Sequence, residues 1–257
     1  MEKDVLKRID HKSIFPIVKP QEIPAYEMLR NKKQVELLPK IAPLCEEDIR
    51  VLKENGYEFP LNWQENNTLL IRNPFRPYQF IPVDTDQNTL ISGHLHDVAD
   101  IFRALGATSC VENANIVSKE EISLKGKGKL TVKAIEIIGK IYYHIKQKQD
   151  VNIVLNIEDE KSTLSTEEKY NKAKSYAEKY HIEEVPQIKE ILRFFDPKIG
   201  KTPKSYTYEE DLTTDLHTLF KGAIKVSSTG LFSLEGKMSY ESKLFNNLHI
   251  SKTITFQ

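Results

Sequence analysis

The sequence predicts an α+β protein: two helix-plus-antiparallel-β units, a helical insert between them and an irregular helical N-terminal region. Apolar residues recur at helical spacing after Asp97 and again after Asp215, and each of these segments is followed by residues that alternate between apolar and polar. Hydrophobic residues make up 39% of the chain and charged residues 29%, as in ordinary globular proteins. We divide the chain into residues 1–66, a helical or irregular region; 67–160, the first unit; 161–200, the insert; and 201–257, a second unit that packs on the first.

The N-terminal region is interrupted by prolines, which remove a backbone donor and disfavour helix in the preceding residue. Its best helix prediction runs from Glu46 to Asn55, with acidic residues in the first turn and Gly56 as a natural stop. The apolar residues 67–83 contain three prolines, Pro74, Pro77 and Pro82. They predict edge strands or an extended connection, because proline cannot donate to a central strand's ladder.

The helix of the first unit is predicted to begin with Asp97 as its N-cap and to stop at Gly106. Its apolar face has the spacing i, i+3, i+4 and i+7, at Val98, Ile101, Phe102 and Leu105. The same spacing returns after Asp215, at Leu216, Leu219, Phe220 and Ala223. Alignment of the two segments matches Asp97 with Asp215, Phe102 with Phe220 and Ser109 with Ser227. We therefore predict a degenerate internal repeat.

Strands are predicted after each helix from apolar residues at every second position. In the second unit they cover residues 232–244 and 248–256, with a turn at Asn246-Asn247. In the first unit they cover 124–133 and 151–157. Residues 135–145 fit either a helix or a strand, and their β-branched content favours a strand.

The insert is predicted to be helical. Ser165 and Glu168 have the spacing of a capping box. One helical face carries an apolar stripe: Tyr170, Ala173, Tyr176 (or Ala177) and Tyr180. A second helix is predicted to open at Pro186 and to end at Asp196-Pro197. Residues 196–208 are predicted to form a loop.

The charge balance and the cysteines limit the binding partners and the cellular compartment that the sequence predicts. Lys plus Arg number 37, and so do Asp plus Glu, so no global field draws the chain to nucleic acid or to an anionic membrane. The N-terminus lacks the apolar core of a secretory signal, and no stretch is long and apolar enough for a transmembrane helix. The two cysteines, Cys45 and Cys110, are therefore expected to be reduced thiols in the cytoplasm.

Gly93-His94-Leu95-His96 is the fragment most suggestive of chemistry. Two histidines at i and i+2 can present both imidazoles to a metal if the backbone is extended. The string resembles the Gly-His-x-His element of calcineurin-like metallophosphoesterases, which implies a metal-dependent phosphoesterase site. That family's Asp-x-His, Gly-Asp and Gly-Asn-His elements are absent upstream. In the alternative interpretation the histidines lie in the turn that leads into the helix capped by Asp97.

Asp84 and Asp86 offer two carboxylates close to these histidines. Acids at i and i+2 at a strand end can ligate a divalent cation such as Mg²⁺. The pair resembles the Asp-x-Asp opening of haloacid-dehalogenase-like phosphatases, although Asn88 stands where that family has Thr or Val. Asp84, Asp86, His94 and His96 together form the predicted metal site; a solvated turn at 84–88 is the alternative.

Four lysines lie on one face of a predicted strand and could bind an anionic ligand or nucleic acid: Lys125, Lys127, Lys129 and Lys133. Lysines on an exposed strand also prevent edge-to-edge aggregation, so the row has a structural explanation too.

The leading functional prediction is a non-enzymatic binding or assembly protein without a cofactor. It would engage a protein partner, or itself, through a sheet face, a sheet edge or the basic strand face. One alternative is a divalent-metal-dependent hydrolase centred on residues 84–97. Another is a membrane-inserting pore-former that uses its amphipathic β-hairpins.

Overall fold

The computed structural model describes residues 2–24, 41–61, 63, 69–83, 85, 87–118, 163–200, 203–211 and 247–256. Helices and two small antiparallel sheets occur in them, which confirms the α+β class. The helix predicted after Asp215 lies outside the described residues, as do the strands predicted at 124–133, 151–157 and 232–244 and the segment 135–145. The internal repeat therefore stays a prediction.

Five α-helices, one short 3₁₀-helix (Pro20–Glu22) and six strands are described. The helices are α1 (Glu2–Ile9), α2 (Glu46–Glu54), α3 (Gln87–Ala104), α4 (Thr166–Lys179) and α5 (Pro186–Phe194). The strands are β1 (Ile14–Pro16), β2 (Leu69–Arg72), β3 (Phe80–Pro82), β4 (Ala107–Ser118), β5 (Ser205–Asp211) and β6 (Asn247–Phe256). None of the described helices is long and apolar enough to cross a membrane.

Helices α2, α4 and α5 confirm the sequence predictions for their segments. The capping box at the start of α4 is formed: the Glu168 amide donates to Ser165 Oγ at 3.3 Å, and the Ser165 amide donates to the Glu168 carboxylate at 2.8 Å. These bonds satisfy donors that have no partner within the helix.

The first sheet has the order β1-β2-β3, with both pairs antiparallel. Strand β2 lies in the middle, so the prediction that this segment holds only edge strands is wrong. The three prolines all follow β2 in sequence, and the only one in a strand, Pro82, lies in the outer strand β3. The pairing of Ile14 with Ile71 joins residues on either side of the predicted boundary at residue 66.

Both faces of β2 are buried, because successive side chains point to opposite sides of a strand. Leu70 packs with Phe15 and Phe80 in a core that includes α1 and α2. Leu69 and Ile71 belong to the larger core, which includes α3, α4, α5 and the second sheet. The first sheet thus separates the two cores.

The second sheet has the order β4-β6-β5, and β6 is antiparallel to both neighbours. The alternating strand predicted at 248–256 is confirmed. The predicted turn is wrong at Asn247, which lies in β6 and pairs with Ser118. The predicted loop 196–208 is wrong from Ser205 onward, because β5 begins there and its tyrosines Tyr206 and Tyr208 pack in or against the core.

Helix α3 positions the residues of interest. It begins at Gln87, so the prediction that Asp97 caps its N-terminus is wrong. The apolar stripe continues upstream of Asp97 through the buried residues Leu90, Ile91 and Leu95. Phe102, fully buried, lies near the rings of Tyr206, Tyr208 and Phe256, and burial of such a ring contributes about 1.5–3 kcal/mol. Gly106 ends the helix with a φ of +89°, the conformation that favours glycine.

Candidate functional site

The two histidines of the predicted metal site lie on different sides of α3. Residues two apart on a helix are about 200° apart around its axis, so the expectation of an extended backbone is wrong. His94 is buried and points toward β5, whereas His96 is exposed and its Nδ1 lies 2.6 Å from the Ser92 carbonyl oxygen. Asp84 and Asp86 lie outside the described residues. Among the residues that are described, no three side chains of metal-ligating type converge.

The predicted basic strand face also falls outside the described part of the chain. Lys125, Lys127, Lys129 and Lys133 all lie between residues 118 and 163, where nothing is described. Their binding to an anionic partner stays a prediction.

His94 belongs to a buried polar group that the sequence did not reveal. Its Nε2 lies 2.9 and 3.0 Å from the two carboxylate oxygens of Glu210 on β5, and the Tyr208 hydroxyl donates to the same carboxylate. The Phe75 ring stacks on the imidazole with centroids 4.3 Å apart. His94 is 1% exposed and Glu210 4%.

The hydrogen bonds define the chemistry of this group. An ionised carboxylate only accepts hydrogen bonds, so the complementary donors to an ionised Glu210 are the His94 Nε2–H and the Tyr208 hydroxyl. His94 Nδ1 is buried and has no hydrogen-bond partner among the described atoms. Burial, followed by the negative charge of Glu210 and the bond to it, raises the pKa of Tyr208 well above its ordinary value. The group links α3 to β5, and its near-complete burial means that no ligand reaches it in this conformation.

A signal for the burial of His94 was present in the sequence. His94, Val98, Ile101 and Leu105 are spaced i, i+4, i+7 and i+11, so His94 continues the apolar stripe. Nothing in the sequence indicates that Glu210 is its partner, because 116 residues separate the two.

Asp97 has a different role from the predicted cap. Its carboxylate accepts hydrogen bonds from Arg76 Nε at 3.0 Å and Nη2 at 2.9 Å, and from the Tyr176 hydroxyl at 3.1 Å. The same hydroxyl lies 3.0 Å from Asp100 Oδ2. The bond to Asp97 raises the pKa of Arg76, against the opposing effect of burial. This network joins α3 to α4 and to the β2–β3 connection.

A surface groove follows β5 on the side of α5. It has a volume of about 490 Å³ and is lined by residues of both elements: Gln187, Glu190, Ile191, Tyr206, Thr207, Tyr208 and Glu209. Phe194 adjoins this lining through Tyr206: its half-exposed ring lies against the Tyr206 ring with centroids 4.9 Å apart. Burial, and then the charge of Glu190, raises the pKa of Tyr206, so its hydroxyl stays neutral at physiological pH.

A second depression, of about 580 Å³, lies along α2. Its lining is Trp63 and one face of this helix, where Glu46, Glu47 and Glu54 alternate with Arg50 and Lys53. Lys53 Nζ lies 5.1 Å from the Trp63 ring centroid, so the ammonium group and the indole ring already form a cation–π contact with each other. Among the described lining residues the charges are mixed and α2 supplies all but Trp63, so they select no ligand chemistry.

No protein-family model matches the chain, and comparison with curated proteins and with solved structures likewise finds no match. Its function is therefore inferred from its own residues.

Proposed function

We propose that this protein is a binding protein that holds an extended segment of a polypeptide partner against β5, in the groove between β5 and α5. The observation that carries the proposal is the position of β5 in its sheet. Within the described residues β5 pairs with β6 on one side, and no strand pairs with its other side. An extended peptide can add to such an edge through main-chain hydrogen bonds.

The register of β5 against β6 determines which backbone groups of β5 are available to a peptide. The Phe256 amide donates to the Lys204 carbonyl oxygen at 2.9 Å, so residues 204 and 256 form a hydrogen-bonded pair. In an antiparallel ladder such pairs alternate with non-hydrogen-bonded ones. The unbroken register from Ser205 to Asp211 therefore directs the backbone groups of even-numbered residues toward β6 and those of odd-numbered residues away from it.

Ser205 and Thr207 thus present N–H and C=O groups to the open side. Both residues are exposed, and Thr207 lines the groove. Each backbone hydrogen bond to a partner contributes about 0.5–1.5 kcal/mol. The neighbouring helix α5 supplies the side chains that a docked peptide would meet.

The register also supplies a discriminating variant. Thr207→Pro removes the outward N–H but no bond to β6, and proline is tolerated on edge strands in this position. Thr207→Val keeps the N–H and serves as the matched control. Both variants are expected to keep the circular dichroism spectrum of the unmodified protein.

The test is selection of a phage-displayed library of random short peptides on the full chain, followed by fluorescence anisotropy with the enriched peptides. We expect enriched peptides to bind the protein and Thr207→Val equally, and to bind Thr207→Pro about two- to tenfold more weakly. Absence of enrichment, or equal binding to both variants, would overturn the proposal. A dimer in solution that Thr207→Pro dissociates would also overturn it, since a second copy would then occupy the edge.

A further inference from the structure

The side chains along the groove define what kind of segment fits it. From this arrangement, and resting on the proposed function, we infer that the partner is an extended peptide with a basic residue and an apolar residue two positions apart. The basic residue faces Glu190, and the apolar residue faces the ring pair Phe194–Tyr206.

The groove is acidic. Of the described residues that line it, Glu190 on α5 carries a carboxylate, and none is Lys or Arg. The nearest cation on α5 in sequence, Lys189, is paired with Glu184 at 2.6 Å. A basic side chain in the groove would therefore meet an opposite charge, whereas an acidic one would be repelled.

An apolar ring, that of Phe194, adjoins the groove through its contact with Tyr206. Phe194 is half-exposed although it is a large aromatic residue, and its ring rests against Tyr206, itself only partly buried. Aromatic rings that are held in place on one side and open on the other are typical anchors for a partner's apolar side chain.

The spacing of these two features matches a strand. Glu190 and Phe194 are four residues apart on α5, which is about 6 Å along the helix axis. In an extended peptide, side chains on the same face are two residues apart, or about 6.6–6.8 Å. A peptide that pairs with Thr207 can thus place one side chain at Glu190 and the next of the same face at Phe194.

The test uses the same phage-displayed library on three forms of the full chain: the unmodified protein, Glu190→Lys and Phe194→Ala. On the unmodified protein we expect enriched peptides to carry Lys or Arg two positions from an apolar residue. On Glu190→Lys we expect the basic position to change to Asp or Glu. On Phe194→Ala we expect the basic residue to be retained and the apolar one to be lost.

A quantitative measurement completes the test. For a synthetic peptide with the selected pattern, Glu190→Gln is expected to weaken binding about two- to fivefold, as for a solvent-exposed ion pair, and added salt is expected to weaken it further. As a control, Glu167→Gln, which removes an exposed carboxylate on α4 outside the groove lining, should leave the affinity unchanged.

The two proposals fail differently. If peptides are enriched and lose affinity for Thr207→Pro, but their composition is the same on the unmodified protein and on Glu190→Lys, the charge inference is overturned and strand addition stands. If no peptide is enriched on the unmodified protein, both are overturned.

Discussion

At the residue scale, His94 and Glu210 form a polar pair that is almost completely buried. Both side chains are removed from water. The pair is therefore stable only if each side chain satisfies the hydrogen-bonding group of the other. The Tyr208 hydroxyl and the Phe75 ring complete its surroundings. Loss of the imidazole would leave the carboxylate with Tyr208 alone.

We expect His94→Ala to lower the free energy of unfolding by about 3–5 kcal/mol, because it leaves a buried carboxylate without its partner. His96→Ala is the matched control, two residues away on the exposed side of the same helix, and should change the free energy by no more than about 0.5 kcal/mol. Urea unfolding followed by circular dichroism measures both. Equal effects of the two substitutions would contradict the buried pairing of His94.

At the element scale, one hydroxyl that contacts two carboxylates adds to the apolar packing of α4 on α3. Tyr176 contacts Asp97 and Asp100, and Asp97 is also held by Arg76. Burial, together with the two neighbouring negative charges, raises the pKa of Tyr176 well above its ordinary value. The neutral hydroxyl can donate a hydrogen bond, but the phenolate would be repelled by both acids.

This raised pKa predicts a loss of stability at alkaline pH. The unfolded tyrosine ionises near pH 10, whereas the folded one stays protonated, so the folded state binds more protons. The contribution of Tyr176 is therefore complete below about pH 10 and is lost as the pH rises toward the folded pKa. Urea unfolding between about pH 8 and 11 should show a decreasing free energy of unfolding.

Tyr176→Phe should make this decrease less steep, and at neutral pH it should cost about 1 kcal/mol for the lost hydrogen bonds. Tyr180→Phe is the control, because Tyr180 directly follows the last residue of the same helix. It should leave the pH dependence of the free energy of unfolding as in the unmodified protein. The slope should not vanish in Tyr176→Phe, because the pKa of the buried Tyr208 is raised as well. An unchanged slope would show that the Tyr176 hydroxyl does not have these neighbours.

At the scale of the whole molecule, the first sheet ties the N-terminal region to the rest of the chain. Strand β1 is the outer partner of β2, and Phe15 lies edge-on to Phe80 with ring centroids 4.7 Å apart. Helices α1 and α2 contribute Val5, Ile9, Ile49 and Leu52 to the same core. The described residues of the N-terminal region thus share a sheet and a core with residues 69–83.

We expect a fragment of residues 67–257 to be insoluble or to lack a cooperative thermal transition, because removal of residues 1–66 exposes Leu70 and Phe80 and leaves β2 without β1. The full chain is the control. Cooperative unfolding of the fragment would contradict this prediction and would show that the N-terminal region folds separately.

The sequence by itself determined the elements whose signals are local. The helices α2, α4 and α5 follow from caps, apolar spacing and flanking proline, and β6 follows from its alternation. Each of these signals depends on residues within a few positions of one another. The signal at Gly106 is local too. A position with left-handed backbone after a helix favours glycine, whatever the helix packs against.

Only the tertiary structure decided how α3 and β5 relate. Asp97 suits an N-cap, but the apolar stripe extends upstream to Leu90 and the core buries it, so the helix begins at Gln87 and Asp97 binds Arg76 instead. His94 binds Glu210, and β5 lies beside α5 with no further strand on its outer side among the described residues, because β6 pairs with residues far apart in sequence. Long-range pairing leaves no local signal, so the groove could not be predicted from the residues that line it.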